Sequence, residues 1–175
     1  MPLIKTVSPE EATGKTAEIF AVAKERLGRV PNVYQLYATT PTLLEIQFNS
    51  MGYYMNHPNL SMGFLAFVRM LVSVGTNCEY CIDFNKNLLI QSGIGADVLN
   101  ETIKDPKKAP LPEKEKTLLL LVLKAVKNPR SVCASDVDEL RNLGWSDRDI
   151  LDAVIHGANN SAADIIIDTF KVEKE

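Results

Sequence analysis

The sequence predicts an all-α protein, and three observations predict it. Helix-start signals recur along the chain, apolar residues repeat at three- and four-residue steps between them, and strand signals are few, with no Asn-Gly or Asp-Gly hairpin turn. Ser8-Pro9-Glu10-Glu11 sets an N-cap serine, a proline at the first helical position and a capping-box glutamate in order. A helix is therefore expected over residues 9–27, with Ala12, Ile19, Phe20, Ala23 and Leu27 at helical spacing and Gly28 as its stop. Thr40-Pro41 repeats the cap-then-proline pattern. Phe64 to Val74 is apolar on nearly every side, with Arg69 its only charge, and its length favours a buried helix over a buried strand.

Further on, Gly93 and Gly144 mark stops where a left-handed residue ends a helix. Leu111-Pro112-Glu113 opens a helix over residues 113–127 with acid in its first turn. Ser135 with Asp138 and Ser146 with Asp149 read as capping boxes with aspartate in place of glutamate. The last pattern, residues 146–170, places Ile150, Leu151, Val154 and Ile155 on one apolar stripe. The most polar connection is Lys104 to Pro112. Residues 1–175 are thus expected to form a single helical domain, with an N-terminal half to about residue 104 and a C-terminal helical half from about residue 112.

Composition narrows the function. The chain has 175 residues, 46% of them hydrophobic and 23% charged, the balance of a globule with a substantial core. Its formal net charge of -3 and the lack of a basic patch argue against nucleic acid and anionic membranes as partners. The longest aliphatic run, Leu118 to Leu123, falls far short of the roughly 20 residues a membrane span needs. The start of the chain lacks the apolar core of a signal peptide, and an odd number of cysteines argues against a disulfide-stapled secreted fold, so a cytoplasmic protein is expected.

The chemistry concentrates in Asn77-Cys78-Glu79-Tyr80-Cys81-Ile82-Asp83-Phe84-Asn85. Two thiols three residues apart lie on one face at a helix start, close enough to bridge with little backbone movement. The positive end of the helix favours a thiolate, which is the nucleophile toward peroxides and disulfides. Cys78 and Cys81 are the candidate catalytic residues, and Tyr80, Asn85 and His156 the candidate site-lining ones. The other reading of the pair is two cysteines packed as small hydrophobes. A zinc site needs four ligands; Cys133, His57 and His156 alone remain to complete one and none is paired at short spacing, so neither a metal nor another cofactor is expected. Gly93-Ile94-Gly95 is not a dinucleotide loop, since it follows a helix and Val98 stands where glycine is required.

This segment resembles the signature of the alkylhydroperoxidase AhpD-like, carboxymuconolactone decarboxylase-type proteins. Gly28-Arg29-Val30-Pro31-Asn32-Val33-Tyr34 with Thr40-Pro41-Thr42-Leu43-Leu44 is similar to the N-terminal portion of the peroxidase-related branch. Leu111-Pro112-Glu113-Lys114-Glu115-Lys116, Asp138-Glu139-Leu140 and Gly144-Trp145-Ser146-Asp147-Arg148-Asp149-Ile150-Leu151 are similar to its C-terminal portion. The resemblance implies an AhpD-like helical bundle that assembles as a homo-oligomer, a trimer or hexamer. It also implies a peroxidase in which Cys81 attacks the hydroperoxide and becomes a sulfenic acid, and Cys78 resolves it to a disulfide. A lipoyl or thioredoxin-like dithiol protein would then be the reductant, with a hydroperoxide or a disulfide as substrate.

The chain departs from the family pattern at both proton-relay positions. Asn85 stands where the redox members carry histidine, and an amide is no base; the upstream glutamate position falls on Ala66. A positioned base contributes about 10²–10⁴ in rate. No neighbour replaces it on an ideal helix: Asp83 points away from Cys81, and Glu79 would raise a thiol pKa. His57 reads as a surface loop residue, His156 as a packing residue on a largely apolar helix, Arg69 as half of a structural ion pair, and Cys133 as a thiol without function. Tyr53-Tyr54 reads as a core or subunit contact. Two alternatives therefore stand beside the peroxidase: a carboxymuconolactone decarboxylase-like enzyme, and a non-catalytic helical oligomer with a redox-sensitive disulfide.

Overall fold

The computed structural model describes residues 2–174, and among them it contains nine α-helices and no strand. The helices are α1 (Gly14–Leu27), α2 (Asn32–Tyr37), α3 (Pro41–Met55), α4 (Met62–Thr76), α5 (Glu79–Gln91), α6 (Ala96–Lys104), α7 (Glu113–Lys127), α8 (Ala134–Asn142) and α9 (Asp147–Phe170). Among the described residues, no helix is long and apolar enough to cross a membrane. The chain divides into two compact units: one runs to His57 and takes in the stretch from Ile166, and the other is Pro58–Ile165. The Lys104–Pro112 connection lies inside the second unit.

In the first unit, Ile19 and Phe20 of α1 pack with Val30, Ala38 and Leu44. The expected capping box at Ser8 forms, but it closes a single turn rather than opening the helix. Ser8 N–H donates to Glu11 Oε2 at 3.1 Å and Glu11 N–H to Ser8 Oγ at 3.3 Å. Ala12 then turns in to pack against the core, Thr13 is extended, and α1 starts only at Gly14. Tyr53 meets Tyr54 and His57 edge-on, at 5.3 and 5.8 Å between centroids. His57 is therefore a buried ring and not the surface residue expected.

The second unit is organised around α4. Ser61 caps it by accepting from Phe64 N–H at 3.1 Å, and Phe64, Leu65, Phe67, Val68 and Met70 are fully buried. It packs against α5 and α7. At its end Asn77 adopts φ 59, the left-handed conformation that asparagine tolerates better than most residues. The Asn77 and Cys78 amides both turn back onto the last turn of α4, so the chain reverses directly into α5. Gly28, Gly93 and Gly144 adopt φ 75, 96 and 83, as expected of helix stops.

Two details of the C-terminal helices differ from expectation. The box that opens α8 is Cys133 with Asp136, not Ser135 with Asp138: Cys133 N–H donates to Asp136 Oδ2 at 2.8 Å, and Lys124 on α7 binds the same carboxylate at 2.6 Å. That lysine fixes the register, and with the Cys133 amide it holds the Asp136 carboxyl down at about 2. The Ser146–Asp149 box opens α9 as expected. However, α9 is rotated relative to its apolar stripe. Ile150 is buried, but Leu151 is 58% and Ile155 39% exposed, while Ala153, His156, Asn160 and Asp164 face inward. Gly157 permits the close approach of α9 to α4 and α7, since a Cβ there would stand 2.5 Å from Val122 Cγ1 and 3.6 Å from Val68 Cγ1.

Candidate active site

The hairpin of α4 and α5 fixes both thiols. Cys78 is the N-cap of α5 and Cys81 sits one turn in, on the face turned toward α4. Both are free, Cys78 fully buried and Cys81 7% exposed. The third member of the site arrives from α9: the Cys78 and Cys81 sulfurs and a carboxylate oxygen of Asp164 all lie within 4.8 Å of one another.

Asp164 is held in place by three donors. Ser73 Oγ donates to Oδ1 at 2.9 Å, Thr76 Oγ1 to Oδ2 at 2.7 Å, and Asn160 Nδ2 approaches both oxygens at 3.3 Å. Asn160 also donates to Ser73 Oγ at 2.8 Å and to the Arg69 carbonyl at 3.3 Å, which ties α9 to α4 at this level. Hydroxyl and amide donors thus converge on both oxygens of the side chain and fix its orientation.

The electrostatics at Cys81 run opposite to the sequence expectation. Its hydrogen bond with Cys78, its burial, and the adjacent Asp164 carboxylate all push the thiol well above its ordinary value. At Cys81 the neighbouring thiol, the lack of water and the local acid all favour the protonated form.

Asn85 lies one turn beyond Cys81, fully buried, and belongs to a second polar group. Its Nδ2 donates to the Cys81 carbonyl at 2.8 Å, and its Oδ1 accepts from Arg69 Nε at 2.7 Å. Arg69 Nη1 donates to His156 Nε2 at 3.1 Å. The imidazole must then carry its proton on Nδ1, where the Leu65 carbonyl accepts it. Burial, reinforced by the Arg69 charge, holds His156 down to about 3, so the ring is neutral. Asn85 and His156 thus anchor an arginine.

Of the remaining residues read from sequence, Tyr80 is buried and stacks on Phe84, ring centroids 6.3 Å apart at 6°. Glu79 and Asp83 are exposed, and Ala66 is buried on α4. Cys133 is exposed at the start of α8. Sequence reasoning missed Asp164, Asn160, Ser73 and Thr76. The signal for two of them was present: His156, Asn160 and Asp164 recur at four-residue steps, a polar line that a helix sets on one face.

No family model matches the chain, and no curated protein matches it. Solved structures do. An uncharacterized peroxidase-related protein from Silicibacter sp. TM1040 superposes with a TM-score of 0.84 at 21% identity, over 99% of this chain and 94% of its own. An uncharacterized peroxidase-related protein from Ralstonia eutropha JMP134, described as an alkylhydroperoxidase AhpD core, does so with a TM-score of 0.88 at 19% identity, over 99% and 92%. The debrominase Bmp8 aligns with a TM-score of 0.80 at 14% identity, over 99% and 92%. The chain has the all-α fold of AhpD-like, peroxidase-related proteins.

Proposed function

We propose that the protein is a CxxC-dependent thiol oxidoreductase that reduces hydroperoxides, with Cys81 as the attacking thiol and Cys78 as the resolving one. One observation carries this reading: two free thiols share one helical turn, their sulfurs within 4.8 Å. A disulfide of about 2 Å is reached from there by side-chain rotation and a small backbone adjustment. The division of roles is the one the resemblance implies, and access supports it. Cys81 keeps 7% of its surface open to a small oxidant while Cys78 has none.

In the cycle, the Cys81 sulfur attacks the distal peroxide oxygen, the O–O bond breaks, and the alcohol leaves. Cys78 attacks the sulfenic acid, and water leaves as the disulfide forms. An external dithiol, lipoyl or thioredoxin-like, returns both thiols by exchange. We extend the reading to a homo-oligomer, trimer or hexamer, supported by the apolar side chains that α9 leaves outside, Leu151, Ile155 and Ile165 at 58, 39 and 64% exposure. Light scattering of the purified chain tests that extension.

The central test is hydroperoxide consumption with dithiothreitol as donor. Wild type turns over and Cys81→Ser does not; with the donor left out, Cys78→Ser consumes one equivalent and retains it as a sulfenic acid. Equal rates in wild type and Cys81→Ser end the reading. Because the fold also houses a debrominase, crystallised as a cysteine-to-alanine variant in complex with 2,3,4-tribromopyrrole, a brominated pyrrole belongs in the same assay as an alternative two-electron oxidant.

A further inference from the structure

The geometry points to Asp164 as the catalytic base of the thiol pair, supplied by the last helix at the place where Asn85 and Ala66 leave none on α5 and α4. The inference rests on the peroxidase reading and adds to it the route of the proton.

A protonated thiol that attacks a peroxide must give up its proton as the S–O bond forms. The groups around the site leave one acceptor. Asn85 is an amide already bound to Arg69 and to the Cys81 carbonyl. His156 accepts from Arg69 through its lone pair and is held as a neutral ring. Glu79 and Asp83 are exposed on α5. Among the described residues, Asp164 alone sets a carboxylate oxygen with both sulfurs inside 4.8 Å. Ser73 and Thr76 fix the carboxylate at 2.9 and 2.7 Å and Asn160 reaches both oxygens only at 3.3 Å, so a thiol competes for the carboxylate with that long, shared contact alone. They are positioning residues.

The proton balance closes on this one carboxylate. The Cys81 proton passes to Asp164 as sulfur takes the distal oxygen; the electron pair of the O–O bond leaves with the alkoxide, and Asp164 returns the proton to it, giving the alcohol. Cys78 then attacks the Cys81 sulfur, its proton passes to Asp164, and the departing hydroxide collects it as water. The disulfide is formed and Asp164 is as it began. The raised Cys81 thiol fits this route, because the resting sulfur keeps its proton and releases it only when an electrophile is in place.

The test starts with the unaltered protein. Single-turnover oxidation of Cys81 by a hydroperoxide, quenched with an alkylating agent, is followed from about pH 6 to 8. Base-assisted attack changes less than about threefold over that span, whereas attack by free thiolate climbs about tenfold per unit. A tenfold climb in wild type overturns the proposal whether or not any variant folds. Asp164→Asn is expected to lower the rate by about 10²–10⁴ and to restore the climb with pH. A folded Asp164→Asn with the wild-type rate and profile also overturns it, while the peroxidase reading survives so long as Cys81→Ser remains inactive. A metal bound in stoichiometric amount by Cys78, Cys81 and Asp164 in the purified protein overturns it as well.

Discussion

The Arg69 guanidinium donates to Nε2 of His156 at 3.1 Å, so a permanent cation on α4 faces an imidazole on α9 that cannot share its charge. The ring is held down to about 3, first by burial and then by Arg69. In the unfolded chain it titrates near its ordinary value of about 6.5. Below that value the unfolded state binds a proton that the folded state refuses. Stability from this group is therefore complete above about pH 6.5 and falls as pH drops toward about 3, at about 1.4 kcal/mol per unit. Urea midpoints at pH 7 and 5 should show a loss of about 2 kcal/mol that His156→Gln, which keeps an acceptor and a donor, does not share. Identical pH dependence in the two proteins would count against the neutral-ring assignment.

Gly157 makes a second prediction. A methyl group there would meet Val122 Cγ1 at 2.5 Å and Val126 Cγ2 at 3.3 Å. Overpacking of this kind costs about 1–3 kcal/mol, and the better helix propensity of alanine returns about 1. Gly157→Ala is expected to lose up to about 2 kcal/mol on balance, and much of that should return in Gly157→Ala with Val122→Ala. Chemical denaturation of the two single variants and the double variant measures the coupling.

Asn85→Ala takes the acceptor from Arg69 Nε in a buried setting and removes the side-chain donor to the Cys81 carbonyl, which keeps its helical backbone bond. A cost of about 2–3 kcal/mol is expected, because a charged donor loses its acceptor away from water. If the peroxide rate per folded molecule stays within a few-fold of wild type, Asn85 acts as an anchor; a loss of the size expected for Asp164→Asn would make it part of the chemistry.

The three thiols should separate by access. Cys133 is exposed and Cys78 and Cys81 are buried, so a thiol reagent should modify one group quickly and two slowly under native conditions. Cys133→Ser removes the fast phase and, since serine is itself an N-cap residue, leaves α8 in place. Persistence of the fast phase in that variant would mean that the helix hairpin opens far more readily than its packing implies.

Much of the fold was legible because caps and stops are local. Ser146 with Asp149, Pro41, and the left-handed glycines 28, 93 and 144 act within a turn of themselves, and each behaves as the sequence indicates. Ser8 and Glu11 show the limit: the box is genuine, but the inward pull on Ala12 ended the turn. The thiol pair was legible for the same reason of nearness. Asp164 was not, because hydrophobicity assigned the wrong side of α9. Leu151 and Ile155 advertise a buried stripe, whereas the face that packs carries His156, Asn160 and Asp164, each satisfied by α4. Periodicity finds polar residues at helical spacing; only tertiary contact tells which side they face.

That Asp164 comes from α9 while the sulfurs come from α5 makes the site conditional on a finished chain. During synthesis the two thiols emerge long before their acid. Until the last helix docks they are two ordinary cysteines, open to chance oxidation and unable to hand a proton to a nearby carboxylate. On the proposed chemistry, a chain truncated or nicked ahead of α9 would keep both thiols and lose the carboxylate, so peroxide turnover would double as a readout of complete assembly.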